Sequence, residues 1–105
     1  MKLSKAQIRA IEDAKKQIQD ARSMDYPEWM RETAHIRSDK VEECIQREYL
    51  KEYYDAHRKG DVLCTAGKNT IDALVRMGIF KVVKWDEHRQ YGVIDWVHYN
   101  EDWEA

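Results

Sequence analysis

Cysteine is scarce in this chain. Cys44 and Cys64 are the only two, and neither lies in a CxxC or other close metal-ligand spacing. They read as reduced, half-buried small apolar residues of a cytosolic protein. Long apolar runs are missing as well. The opening stretch MKLSKAQIRAIEDAKK is broken by charges throughout, so neither an export signal nor a membrane span is expected. No G-x-G-x-x-G, Walker loop, nucleophile elbow or H-E-x-x-H pattern occurs. His35, His57, His88 and His98 show no ligand spacing along one helix. The acids stand beside bases at helical spacing, as Glu43 does with Arg47, which describes a solvated face instead of an acid–base dyad. Neither an enzyme nor a metal or cofactor site is therefore expected. An excess of positive charge is also missing. The net charge of −2 speaks against a protein that coats nucleic acid generically.

What is present describes one domain, residues 1–105. The length of 105 residues is enough to bury a core without metals or disulfides. A hydrophobic share of 43% is globular, and a charged share of 36% implies long exposed helical faces of mixed sign. Residues 1–60 read as a helical part and 61–99 as a helix-and-strand unit. Residues 100–105 form an acidic tail with Glu101, Asp102 and Glu104. The charge is uneven: residues 64–84 hold Lys68, Arg76, Lys81 and Lys84 against Asp72 alone.

The helical part has clear punctuation. Ser4 and Gln7 fit a capping box, with Leu3 and Ile8 placed for a hydrophobic staple. Ile8, Ile11 and Ile18, with Ala14 and Ala21, form a narrow stripe that must pack on the domain or on a second copy. A homodimer through this helix is one partner option. Asp25 or Tyr26 can cap a short helix with Pro27 at its start and Trp29, Met30 and Ile36 as anchors. A long helix is then expected from Ser38 or Asp39 to Gly60, with Asp39 and Glu42 as its capping pair. Its face would be Val41, Ile45, Tyr49 and Tyr53, with Leu50 and Tyr54 off that stripe.

The segment DVLC, 61–64, reads as a brief strand. Thr65 then stands where an N-cap would, Ile71, Leu74 and Val75 form an apolar face, and Gly78 follows as a C′ residue. IFKVVKW, the polar loop DEHRQ and YGVIDWVHY read as an antiparallel hairpin. Along its second strand Val97 and Tyr99 share one face, and Trp96 and His98 the other.

Thr70, Ile71, Leu74, Gly78 and Ile79 match the pattern of a helix that feeds a two-stranded wing. Over residues 61–99 the chain resembles the end of a winged-helix domain. The fold expected is α+β: N-terminal helices, then a winged-helix-like helix and hairpin. The resemblance implies contact with DNA or RNA through Lys68, Asn69 and Arg76 on the helix, Lys81 and Lys84 on the strand, and Arg89 at the wing tip. The link GDVLCT holds a strand in place of the tight turn of a helix-turn-helix pair.

Two functions are expected from these features. One is a small non-catalytic regulatory or accessory module, of bacterial or phage type, that contacts nucleic acid. The other is a protein-interaction module, such as an inhibitor of a nucleic-acid enzyme. It would bind through Trp96, Tyr99, Glu101, Asp102 and Trp103.

Overall fold

The computed structural model describes residues 2–84 and 95–104. The loop expected over 86–90, and Arg89 with it, lies outside the described residues. The chain is α+β. Among the described residues five α-helices and one 3-10 turn combine with a three-stranded antiparallel sheet, and all but one of the helices precede the first strand.

Helix α1, Lys5–Ser23, forms as its caps dictate. The Ser4 hydroxyl accepts from the Gln7 N–H, and the Gln7 side chain accepts from the Ser4 N–H. Its buried face is Ala10, Ile11, Ala14, Ile18 and Ala21. Ile8 is exposed, although the stripe was expected to include it, and Ala10 takes its place in the core. The stripe is spent on the chain's own core, which leaves little of it for a second copy.

Helix α2, Tyr26–Glu32, is capped by Asp25, whose carboxylate accepts from the Glu28 N–H at 2.9 Å. It drives Trp29 and Met30 into a small second core with Ala21, Val41 and Tyr54. Tyr54 Oη donates to the Met24 carbonyl at 2.6 Å, so its polar end is satisfied inside.

The single long helix expected over 38–60 is instead a 3-10 turn, Ser38–Lys40, followed by α3, Val41–Gln46, and α4, Lys51–Arg58. Asp39 does not cap: its carboxylate is taken by the Arg37 guanidinium. Helix α3 ends in a Schellman motif. Glu48 N–H donates to the Ile45 carbonyl and Tyr49 N–H to the Cys44 carbonyl. Glu48 and Leu50 both stand in the left-handed region, at φ 53° and 60°. Each such residue costs about 1–2 kcal/mol. The compensation lies in what the break re-aims. Leu50 and Tyr54 turn into the second core, while Ile45, Tyr49 and Tyr53 are left exposed. Val41 of the expected stripe does enter that core, but a continuous helix would carry Ile45, Tyr49 and Tyr53 along with it, and the break replaces them with Leu50 and Tyr54.

Gly60, φ 99°, ends α4 and leads straight into β1, Asp61–Cys64. Helix α5, Lys68–Arg76, is capped by Gly67 with no side-chain bond, so Thr65 is not the cap that was expected. The helix begins only after the chain has left the strand. It ends in a second Schellman motif, with Gly78 N–H on the Val75 carbonyl and Ile79 N–H on the Leu74 carbonyl. Ile71, Leu74 and Ile79 are fully buried, whereas Val75 is partly exposed.

Strands β2, Phe80–Lys84, and β3, Asp95–Tyr99, pair antiparallel, and β1 adds to the other side of β3, giving the order β1-β3-β2. Val62 and Val82 both face Val97, and Phe80 faces Tyr99. Val62, Val97, Phe80 and Tyr99, with Cys64, form the inner face packed against α1 and α5, while Val82 shares their side of the sheet by register and is only half-buried. The free edge of β1 is closed by α1: the Gln17 side chain bonds both backbone groups of Leu63.

Candidate nucleic-acid interface

Three surfaces hold the residues singled out from the sequence. The first is the outward side of α5. Lys68, Asn69 and Arg76 are exposed there, and Lys68, Asp72 and Arg76 recur at the four-residue spacing of one helical face.

The second is the outer face of the sheet. Lys81 lies opposite His98 and Lys84 opposite Trp96, so both lysines stand on the face turned away from Val97 and Tyr99. The nucleic-acid set is thus divided between α5, which packs on the inner face, and the outer face of β2. A register shift between Val82 and Lys84 leaves Val83 exposed. Helix α4 leans over this face. The Tyr53 ring lies nearly parallel to Trp96, with centroids 5.3 Å apart and planes 10° from parallel. His57 approaches Trp96 at 5.7 Å and Trp29 at 6.1 Å, so one imidazole bridges the outer aromatic pair and the second core. Its Nδ1 lies 2.9 Å from the Asp61 carbonyl oxygen, and since a carbonyl only accepts, this nitrogen carries the hydrogen and donates. Burial lowers its pKa below the ordinary value, and the Asp61 carbonyl offsets only part of this. The Asp61 carboxylate reaches His98 Nδ1 at 2.8 Å.

The third surface is the C-terminal segment. Tyr99 is buried, edge-on to Phe80, and accepts from Trp103 Nε1 through its hydroxyl. Glu101 receives both terminal nitrogens of Arg22, at 2.6 and 3.0 Å. That bidentate bond holds its carboxyl below the usual range. Glu104 pairs with Lys15, which raises the lysine pKa. Asp102 is exposed, and its N–H is taken by the Asn100 side chain. A space of about 430 Å³ is left between this segment and Lys15, Ile18 and Arg22 of α1. Of the expected protein-contact residues, Tyr99, Glu101 and Trp103 are thus engaged within the chain.

Charge is distributed accordingly. Lys15, Lys16, Arg22, Arg37, Arg47 and Lys51 each sit in an ion pair. Lys68, Arg76, Lys81 and Lys84 form no ion pair among the described residues. Among the described residues no group of three or more His, Cys, Asp and Glu is placed to hold a metal ion. None of the described helices is long and apolar enough to cross a membrane.

Tyr53 was missed as a surface group because its spacing from Val41, Ile45 and Tyr49 marks a core stripe. The adjacent Tyr53 and Tyr54 point about 100° apart on a helix, so only one can face the core. Which one is set by the break at Glu48 and Leu50. The chain matches no protein-family model, no curated protein and no solved structure.

Proposed function

We propose that this chain is a small, non-catalytic regulatory or accessory module that contacts nucleic acid, DNA or RNA, through helix α5 and strand β2. The observation that carries this reading is the division of the cations. Lys15, Lys16 and Arg22 of α1 and Arg47 and Lys51 of the α3–α4 region sit in ion pairs, whereas all four cations of residues 68–84, Lys68, Arg76, Lys81 and Lys84, are exposed and unpaired among the described residues, as Lys5 and Arg9 at the start of α1 and Arg58 and Lys59 at the end of α4 also are. Unpaired lysine and arginine suit phosphate contact even where the net charge is slightly negative, and those of residues 68–84 lie on two surfaces, the exposed side of α5 and the outer face of β2. In the winged-helix reading α5 takes the recognition position and the β2–β3 pair the wing. The Schellman exit at Gly78 and the direct step into β2 support that reading. Because α5 stands alone between β1 and β2, its contact is through an exposed face, not through a helix-turn-helix pair.

The rival reading, a protein-interaction module acting through the aromatic and acidic C-terminal surface, draws less support. Glu101 and Glu104 are already bound by Arg22 and Lys15, and Tyr99 is buried.

The test is a binding titration at low salt with labelled DNA and RNA, single-stranded and duplex. Binding is expected to weaken steeply with salt. The Lys68→Ala/Arg76→Ala variant is expected to lower the slope of log affinity against log salt by about 1–2. Absence of binding to every probe at low salt rejects the proposal.

A further inference from the structure

The outer face of the sheet has a charge and shape pattern that the general reading does not use. Between α4 and β2 lies a groove of about 290 Å³ lined by Glu52, Tyr53, Ala56, Val83, Lys84 and Trp96, with Asp61 at its end. Trp96 and Tyr53 both line it, with the Tyr53 ring stacked on the indole. Tyr53 remains 38% exposed and Val83 53%. An aromatic ring fixed by stacking and still open to water can receive a second planar ring at little cost in side-chain freedom.

The two rims differ in charge. On the β2 rim stands Lys84, with Lys81 further along the same sheet face, and neither is ion-paired among the described residues. On the α4 rim stands Glu52. The Asp61 carboxylate is directed to His98 and is not a free anion in the groove. A ligand that fits must therefore be flat and apolar on its faces and anionic on the β2 side. On the α4 side it must carry a hydrogen-bond donor. A nucleotide unit has this arrangement: a ring for Tyr53, phosphate for Lys84 and Lys81, and an exocyclic amine for Glu52. In a duplex the base faces are already stacked on one another, so the groove suits an unpaired strand.

We infer that the outer sheet face binds single-stranded nucleic acid, seating one unstacked base against Tyr53 and Val83 with the flanking phosphates on Lys84 and Lys81. This rests on the reading of the chain as a nucleic-acid-contacting module and names the strand state that it takes.

The test is fluorescence anisotropy with a labelled, non-self-complementary single strand of about 12 nucleotides, compared with the same strand annealed to its complement. The full chain is expected to bind the single strand about tenfold or more tightly than the duplex. Tyr53→Leu, which keeps an apolar cover on Trp96 but no stacking ring, is expected to lose about five- to hundred-fold in single-strand affinity. Tyr53→Phe keeps the ring and is expected to bind as the parent does. Lys81→Ala/Lys84→Ala is expected to reduce the salt slope by about 1–2. Equal or tighter binding of the duplex, or single-strand affinity unchanged in Tyr53→Leu, overturns the inference. Duplex preference that depends on Lys68 and Arg76 would overturn it while leaving the α5 contact standing. Loss in Tyr53→Leu with none in Lys68→Ala/Arg76→Ala supports the groove and removes α5. Binding of neither probe rejects both.

Discussion

Gln17 holds both backbone groups of Leu63: its Nε2 donates to the carbonyl at 2.7 Å and its Oε1 accepts the N–H at 3.0 Å. A side-chain amide thus takes the place of a neighbouring strand along the open edge of β1. It fastens the first helix to a strand far along the chain. Both bonds need the amide, because only an amide offers a donor and an acceptor side by side. Gln17→Ala is expected to cost about 1–3 kcal/mol, since two half-buried backbone groups lose their partner. Gln17→Glu is expected to cost more, because a carboxylate meets the Leu63 carbonyl with no hydrogen to share. Urea unfolding of the three proteins checks the ranking. A Glu variant as stable as the parent contradicts the clamp.

His57 gives the fold a dependence on mild acid. Burial holds its pKa below the ordinary 6.5, so the unfolded chain takes up a proton first as pH falls. Its full contribution is present above about pH 6.5 and is lost as pH drops toward the folded pKa, by at most about 1.4 kcal/mol per pH unit. Glu101 acts in a separate, more acidic window, because Arg22 holds it below its ordinary 4.5. Unfolding free energy measured from about pH 7.5 down to about pH 5 should therefore fall. In His57→Gln the slope should flatten. An equal slope in both proteins assigns the effect elsewhere.

Gly60 and Gly78 both have positive φ, at 99° and 76°, yet they answer differently to a methyl group. A Cβ on Gly60 would stand 2.9 Å from Cε1 of His98, a ring fixed by Asp61, whereas a Cβ on Gly78 meets open space. Gly78→Ala is expected to cost about 1–2 kcal/mol from the backbone alone. Gly60→Ala should cost about 1 kcal/mol or more beyond that, because His98 must also move. Thermal unfolding of the two variants checks the order, and equal losses would mean that His98 yields freely.

Much of the fold was legible where the controlling interaction is local. Ser4 with Gln7, Asp25 before Tyr26, Gly60 and Gly78 all act within one helical turn, and each marks a boundary in the structure as the residues imply. The long helix over 38–60 was misread because nothing local forbids it. Glu48 and Leu50 are ordinary helix formers, and each adopts a left-handed conformation only because Leu50 and Tyr54 gain burial against Trp29 and Met30. The candidate residues were legible as types but not as surfaces. Lys68 and Arg76 belong to one side of the molecule, Lys81 and Lys84 to the other face of the sheet, and only strand register says so.

The amino-acid sequence by itself determined the α+β class, the capping box of the first helix, the glycine stops and the shared strand face of Val97 and Tyr99. These follow from periodicity and from hydrogen bonds between near neighbours. Tertiary structure alone decided that β1 joins β3, that the acidic tail closes on Arg22 and Lys15, and that Tyr53 lies on Trp96. Each of these joins residues distant in the chain. The strand pairing and the ring stack draw on burial shared by several elements, and the half-exposed ion pairs form where those elements bring the tail beside α1; no local stretch of sequence records either.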